Sequence, residues 1–242
     1  FKGGTSLSKG WGLISRFSED IDIALDPQAF GISHIENPDK KFIGTLKRAG
    51  CDFTSTALKI ELEKELTNLG LVLGTIVISF AEIPANVPDT DPQTLYVKYK
   101  SIYPPNEYLK DEVKIEVSVR SLLTPSEPRT MRSILSTFNP KPIYAEEDFR
   151  IETVNPRKTF LEKIFLLHEE FQRKDISKIK VERKSRHYYD LYSMSKAGIF
   201  DHAIADEKLY EHIIDHREKY NNISWVKYSQ LAHKSVSFLP PI

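Results

Sequence analysis

The chain has 242 residues, 40% of them hydrophobic and 28% charged, enough for one large core or two modest ones and too apolar for a disordered chain. Its 34 Lys and Arg balance 34 Asp and Glu, so bulk charge supplies no general attraction to nucleic acid or to an acidic membrane, and any polyanion site must be local. The single cysteine, Cys51, excludes an internal disulfide and a thiolate zinc cluster and fits a reducing, cytoplasmic setting.

No apolar run approaches the ~18 residues of a membrane span and no signal peptide is readable, so no membrane partner is expected. Phe1 stands in what reads as a strand, and a segment upstream of it is expected to be missing from this sequence.

The opening stretch "GGTSLSKGWGLISRFSEDIDIAL", residues 3–25, is the most informative. Gly3 and Gly4 let the backbone approach a ligand closely, and Thr5 or Ser6 is placed to cap a short helix with Leu7, Trp11 and Ile14 inward. A helix N-terminus attracts anions through its unpaired N–H groups and its dipole. "SEDIDIAL" then alternates strictly, with Ile21, Ile23 and Leu25 on one face and Asp20 and Asp22 on the other, about 6.5–7 Å apart at Cα. Two carboxylates at that spacing suit a hard divalent cation of phosphate chemistry. The layout is a phosphate at the glycines and a metal at the aspartates. The spacing matches neither a Walker loop nor a dinucleotide fingerprint.

Cys51, in "RAGCDFT", reads as structural. A helix is expected in "STALKIELEKELTNLG", capped by Ser55 or Thr56 and ended by Gly70. Strands follow at 71–80, 94–103 and 112–119. In the last of these Val113, Ile115, Val117 and Val119 form the buried face, leaving Glu112, Lys114, Glu116, Ser118 and Arg120 opposite. Glu116, central in the strand, is the candidate third carboxylate. Arg120 shares its face and could pair with it or hold a phosphate.

Beyond Arg120 the chain becomes proline-rich and connecting, with a short helix expected in "TMRSILSTF". From Asn155 the pattern is helical: "NPRKTFLEKIFLLHEEFQRK", "SRHYYDLYSMSKAGIF", "DEKLYEHIIDHREKYN" and "SWVKYSQLAHKSVSFL". The boundary is expected between residues 145 and 146. Lys163 lies at the edge of an apolar helix face, where a boundary lysine or one reaching a cleft are both open. Asp190, four residues after Arg186, reads as a helical ion pair or a site residue. His168 reads as a core histidine. His212, Asp215 and His216 faintly resemble a zinc pattern but lack a third ligand, and an exposed amphipathic helix is preferred. The run 173–186, seven Lys and Arg against two acids, is either an RNA-backbone patch or a solvated connection.

Taken together, "FKGGTSLSKGWGLISRFSEDIDIAL", "VKIEVSVRS", the "EP" at 127–128, "TFLEKIFLLH" and "SRHYYDLY" resemble, in order, the motifs of the AbiEii/AbiGii-type nucleotidyltransferases. That family includes toxins of abortive-infection and type IV toxin–antitoxin systems. The resemblance runs from residue 1 to about 192. It implies an α+β (α/β) chain: a nucleotidyltransferase-fold mixed sheet with flanking helices over residues 1–145, then a helical half over 146–242 that completes the active-site cleft.

It further implies Asp20, Asp22 and Glu116 as catalytic metal ligands for Mg²⁺ or Mn²⁺, with Lys163 and Asp190 completing the catalytic set. The nucleotide phosphates would lie at Gly3, Gly4, Thr5, Ser6, Lys9, Ser18, Arg120 and Lys163. The implied reaction moves NMP from an NTP, GTP being a candidate, onto an acceptor hydroxyl, for which RNA and in particular a tRNA 3′ end is preferred. A protein or small-molecule hydroxyl, or nucleotide binding without turnover, are the alternatives. A cognate antitoxin is the implied partner.

Overall fold

A computed structural model describes residues 1–72, 74–83, 87, 89–104, 110–139, 147–231 and 235–241. In chain order it begins with one helical turn, α1 (Gly3–Thr5), and a π-helical turn over Ser6–Gly10. Then come β1 (Ile21–Ala24), a 3-10 turn at Pro27–Phe30, and α2 (Lys40–Phe53), which passes through a π segment (Thr54–Leu58) into α3 (Lys59–Asn68). Three strands follow, β2 (Ile76–Phe80), β3 (Gln93–Tyr99) and β4 (Glu112–Ser118), then β5 (Ser126–Met131), α4 (Ile134–Phe138) and β6 (Phe149–Val154). The remaining helices are α5 (Pro156–Phe171), α6 (Ser185–Lys196), α7 (Ile199–Ala205) and α8 (Glu207–Tyr220).

The contacts group these elements into two compact units, Glu19–Leu123 and Phe1–Ser18 with Thr124–Ile242. The expected division at 145/146 falls among residues outside the described set, and this grouping differs from it by placing residues 1–18 with the second half. The reason is local bonding. Val154 donates its N–H to the Phe1 carbonyl, the Trp11 indole donates to the Val154 carbonyl, and Arg129 donates to the Gly10 carbonyl.

The first unit is a four-stranded mixed sheet in the order β1-β4-β3-β2, with β1 parallel to β4 and the other pairings antiparallel. Alternation makes one face apolar: Ile78, Leu95, Val97 and Val117 form its core, packed against Leu58, Leu62 and Leu66 of the helical layer. Those leucines recur at i, i+4 and i+8, so one stripe of the α3 region meets the sheet.

This helical layer starts earlier than expected. Asp39 caps α2 by accepting from the Phe42 N–H, whereas Ser55 and Thr56, the expected caps, sit mid-helix and donate to the carbonyls of Cys51 and Asp52. The expected end holds: Gly70, at φ +88°, closes α3 while the Leu71 N–H reaches back to the Leu66 carbonyl. Cys51 is buried, its thiol donating to Gln93 Oε1 at 2.9 Å and to the Thr90 carbonyl, a structural role. The strand expectations hold with shifted ends: 71–80 shortens to Ile76–Phe80, 94–103 becomes Gln93–Tyr99 and 112–119 stops at Ser118, while residue 73 lies outside the described set.

In the second unit β5 and β6 pair antiparallel. Neither was expected: β5 takes the first residues of "TMRSILSTF", and only Ile134–Phe138 is helical, capped by Ser133. Asn155 caps α5 with Pro156 in its first turn. Gly198, left-handed at φ +78°, breaks the single expected helix of 185–200 into α6 and α7. Asp206 caps α8. The helix expected over 224–239 is absent among the described residues, which hold one 3-10 turn at Tyr228–Gln230. The cause is tertiary: Trp225 and Tyr228 both bond to Glu169 of α5, which fixes the segment in an irregular path.

No helix among the described residues is long and apolar enough to cross a membrane.

Candidate active site

The expected site residues fall into two sets, one in each unit. In the sheet unit, the parallel register aligns Asp22 of β1 with Glu116 of β4. Paired residues at one register position point to the same face, so both carboxylates stand on the face opposite the core. Asp20, two residues before Asp22, precedes the strand. Thr94 and Tyr96 of β3 align with Glu116 and Lys114 and complete a polar surface.

On that surface Lys114 and Glu116 form an ion pair, each about 30% exposed. Burial opposes the charge of Lys114, but the hydrogen bond and attraction of Glu116, with a further contribution from Asp20, raise its pKa above the ordinary value. A divalent cation would suit these donors, since all three candidate ligands are carboxylates on adjacent chain segments. The side chains are not gathered around one point, however. No three Asp, Glu, His or Cys side chains among the described residues are close enough together to hold an ion.

Arg120, open to a pair with Glu116 or a phosphate, is engaged by Asp91. Its Nε donates to Asp91 Oδ2 at 2.7 Å and its Nη2 to the Asp91 carbonyl. Asp91 also accepts from the Val119 N–H and the Ser118 hydroxyl. Arg120 therefore fixes the end of β4, two residues past Ser118, by clamping the 91 loop onto it.

The second set surrounds Gly4. Thr5 and Ser6 do not cap α1, whose N-cap position is Lys2 without a side-chain bond. The Thr5 hydroxyl instead donates to Ser18 Oγ at 3.0 Å, and Ser6 donates to the Gly3 carbonyl. Lys9 is exposed at the end of the π turn. Of the expected inward face, Leu7 and Ile14 are buried and Trp11 is half-buried beneath the Arg129 guanidinium, 4.4 Å from its ring. Gly4 is buried, and a Cβ there would lie 2.7 Å from Ser18 Oγ and 2.8 Å from Arg16 Nη2. The sequence thus needs glycine at position 4 so that a hydroxyl and a guanidinium can come against the backbone turn.

Arg16 then reaches Asp190, with Nε to Oδ1 at 2.7 Å and Nη2 to Oδ2 at 2.8 Å. Lys163 Nζ joins Asp190 Oδ2 at 2.9 Å and stands 3.5 Å from His187 Nδ1. The Asp190 carboxylate is wholly buried. Burial disfavours its charge, but the Arg16 hydrogen bonds and Lys163 outweigh that and hold its pKa below the ordinary carboxylate value. Burial, Lys163 and Lys184 push His187 down to about 4, so its ring is neutral near pH 7. Asp190 thus spends both oxygens on orienting two cations. Its partners are Arg16 and Lys163, not the helical ion pair with Arg186 that its spacing suggested.

Arg16 and His187 were missed in the sequence. Arg16 stands two residues before Ser18, and His187 three before Asp190 on the same helix face; adjacency to a motif was the available signal. His168 is buried, its Nδ1 accepting from the Ser237 N–H at 3.1 Å, as a core histidine should be. His216 stacks on Tyr220. The basic run 173–186 is largely exposed, with a 3-10 turn at Ile176–Lys178.

These features accompany a match of residues 1–239 to the family described as nucleotidyl transferase AbiEii toxin of type IV toxin–antitoxin systems. The chain belongs to the AbiEii family. Among solved structures it is similar to MenT4, a nucleotidyltransferase toxin from Mycobacterium tuberculosis H37Rv, at 18% identity and a TM-score of 0.41. That similarity covers 90% of this chain and 56% of the MenT4 chain, so this AbiEii sequence spans little more than half its length. No curated protein matches the chain significantly.

Glycine at position 4 offers a direct test within the AbiEii motif. Gly4→Ala should displace Ser18 Oγ and Arg16 Nη2, both ends of movable side chains, at a cost of about 1 kcal/mol in stability. Under the nucleotidyl-transfer reading proposed below, transfer should fall about a hundredfold, the penalty of misplacing a positioning group by roughly 1 Å. Parallel urea melts and initial rates would reveal the mismatch between the two effects; equal losses would mean that Gly4 serves only packing.

Proposed function

We propose that this chain is a divalent-metal-dependent nucleotidyltransferase that transfers NMP from an NTP to an RNA 3′ hydroxyl, acting as the toxin of a type IV toxin–antitoxin pair with a cognate antitoxin as partner. The observation that carries this reading is the alignment of Asp22 with Glu116 on the open face of a mixed sheet, with Asp20 two residues away. A bound Mg²⁺ or Mn²⁺ would neutralise charge on the phosphates and activate the acceptor oxygen.

The chain's own groups have separate tasks. Asp20, Asp22 and Glu116 supply the hard oxygen ligands. Ser18 and Thr5, with the guanidinium of Arg16 beside Gly4, form a donor-rich turn suited to phosphate oxygens. Lys163 offers a cation whose direction is set by Asp190. With both oxygens already accepting from cations and a depressed pKa, Asp190 is a positioning residue and not the proton acceptor. His187, neutral at pH 7, adds no charge that would compete with Lys163 for phosphate. The exposed basic run 173–186 supports an RNA acceptor over a neutral one.

The test is transfer of label from each of four α-³²P NTPs, GTP among them, into total cellular tRNA with Mg²⁺. Asp22→Asn should reduce labelling a hundredfold or more, about the loss expected for one group that stabilises the transition state. Pyrophosphate release that survives ribonuclease would reassign the acceptor to a protein or small-molecule hydroxyl. Binding of NTP with no release from any of the four would overturn turnover itself.

A further inference from the structure

We propose that Lys114 is the resident counter-cation of the carboxylate face, and that Glu116 must exchange its ammonium for the metal ion before the ligand set can assemble. This inference rests on the metal reading of Asp20, Asp22 and Glu116 given above.

The strand itself places Lys114 there. Residues two apart in β4 share a face, so Lys114 and Glu116 stand side by side above Tyr96 and Thr94 of β3. Asp22 is the register neighbour of Glu116 on the other side. Glu116 therefore sits between an aspartate on β1 and a lysine on its own strand, and its Oε1 bonds the lysine. The Glu116 carboxylate is thus engaged along its own strand by Lys114.

The cation has a physical reason to be present. Asp22 and Glu116 share one face with Asp20 two residues ahead, and opposite charge within a few ångströms relieves the repulsion among such carboxylates when no metal is bound. A lysine does this reversibly: its flexible stem lets the ammonium withdraw, where a planar arginine fork would hold the carboxylate bidentately. At about 30% exposure both partners can reach water during the exchange. The lysine thus lowers metal affinity and keeps the metal-free face folded.

Two consequences separate this from a merely structural ion pair. Removing the charge should tighten metal binding, whereas removal of a structural pair would not. Retaining the charge in a stiffer form should weaken it.

The experiment is calorimetric titration of Mn²⁺ into the whole chain without nucleotide, for wild type, Lys114→Met, Lys114→Arg and Asp22→Asn, with melting temperatures measured at each end-point. Lys114→Met should bind Mn²⁺ about tenfold more tightly than wild type, a modest fraction of what one unit charge a few ångströms away can exert. It should also melt lower than wild type without metal and recover with it. Lys114→Arg should bind no more tightly than wild type. Equal or weaker binding by Lys114→Met, with Asp22→Asn still abolishing binding, overturns the role of Lys114 and leaves the metal reading standing. Asp22→Asn binding like wild type, or no binding by any variant, overturns the metal reading and this inference with it. Should Lys114→Met fail to fold without metal, its refolding on addition of Mn²⁺ is the supporting result and failure to refold the opposing one.

Discussion

Replacing Asp190 with asparagine is expected to cost about 3–5 kcal/mol, the range for removing one partner of a buried ion pair. Asn preserves shape but puts an amide donor against Arg16 and Lys163, which are themselves donors, and leaves two largely buried cations without their shared carboxylate. A urea midpoint measured at pH 7 would show the loss directly. On the proposed reading, transfer should fall in parallel, since Lys163 and Arg16 take their directions from Asp190.

The same substitution has a distinctive pH signature. Because the Asp190 pKa is depressed in the folded chain, its contribution is fully present above the ordinary carboxylate value of about 4 and disappears as pH falls through the lower folded value. The stability gap between wild type and Asp190→Asn should therefore be constant from pH 7 to about 5 and narrow only below about 4. A gap that stayed fixed into strong acid would mean that shape and not charge holds the site.

Glu169→Ala should be comparably damaging, again about 3–5 kcal/mol. Glu169 is buried in α5 and accepts from both arms of Arg217, with Nε at 2.7 Å, and from the Tyr228 hydroxyl at 2.5 Å. Its own carbonyl accepts from the Trp225 indole at 2.8 Å. Burial and the nearby Glu169 charge push the Tyr228 hydroxyl well above its ordinary pKa, so it remains a donor at any working pH. Truncation would strand a buried guanidinium and release the segment after α8. A red shift of Trp225 emission at a denaturant concentration that leaves wild type native would report it. Glu169→Ala with unchanged melting and emission would mean that the Arg217 side chain reaches water unaided.

Local periodicity made part of this structure readable in advance. "SEDIDIAL" and "EVKIEVSV" alternate so strictly that β1, β4 and their polar faces follow from the residues alone. What alternation does not encode is which strands are neighbours, so the alignment of Asp22 with Glu116 needed the fold. α2 does not stand out because "KKFIGTLKRAGCDF" carries two glycines, each about 1 kcal/mol less favourable than Ala in a helix; burial of Leu46 and Gly50 compensates. The opposite error occurred at 224–239, where a plausible helical pattern yields to Trp225 and Tyr228 bonding to Glu169. The least readable feature was the Arg16–Asp190–Lys163 cluster. Arg16 and Asp190 are 174 positions apart, and neither has a local cue that names the other. Lys163, open on spacing alone between a boundary lysine and one reaching a cleft, is drawn inward by the buried Asp190 carboxylate.

The grouping of residues 1–18 with residues beyond 123 has a consequence for biosynthesis. The glycine turn and Leu7 leave the ribosome before β5 and β6, against which the Ser6–Gly10 turn packs, and the whole of residues 19–123 is made in between. That intervening stretch contains its own sheet and core and can condense while translation continues, which shortens the effective loop that residues 1–18 must close. Until β5 and β6 arrive, the opening segment with Leu7 stays exposed. Slowing elongation across residues 124–154 should prolong that exposure, read as longer protease sensitivity of residues 1–18 in ribosome-bound chains.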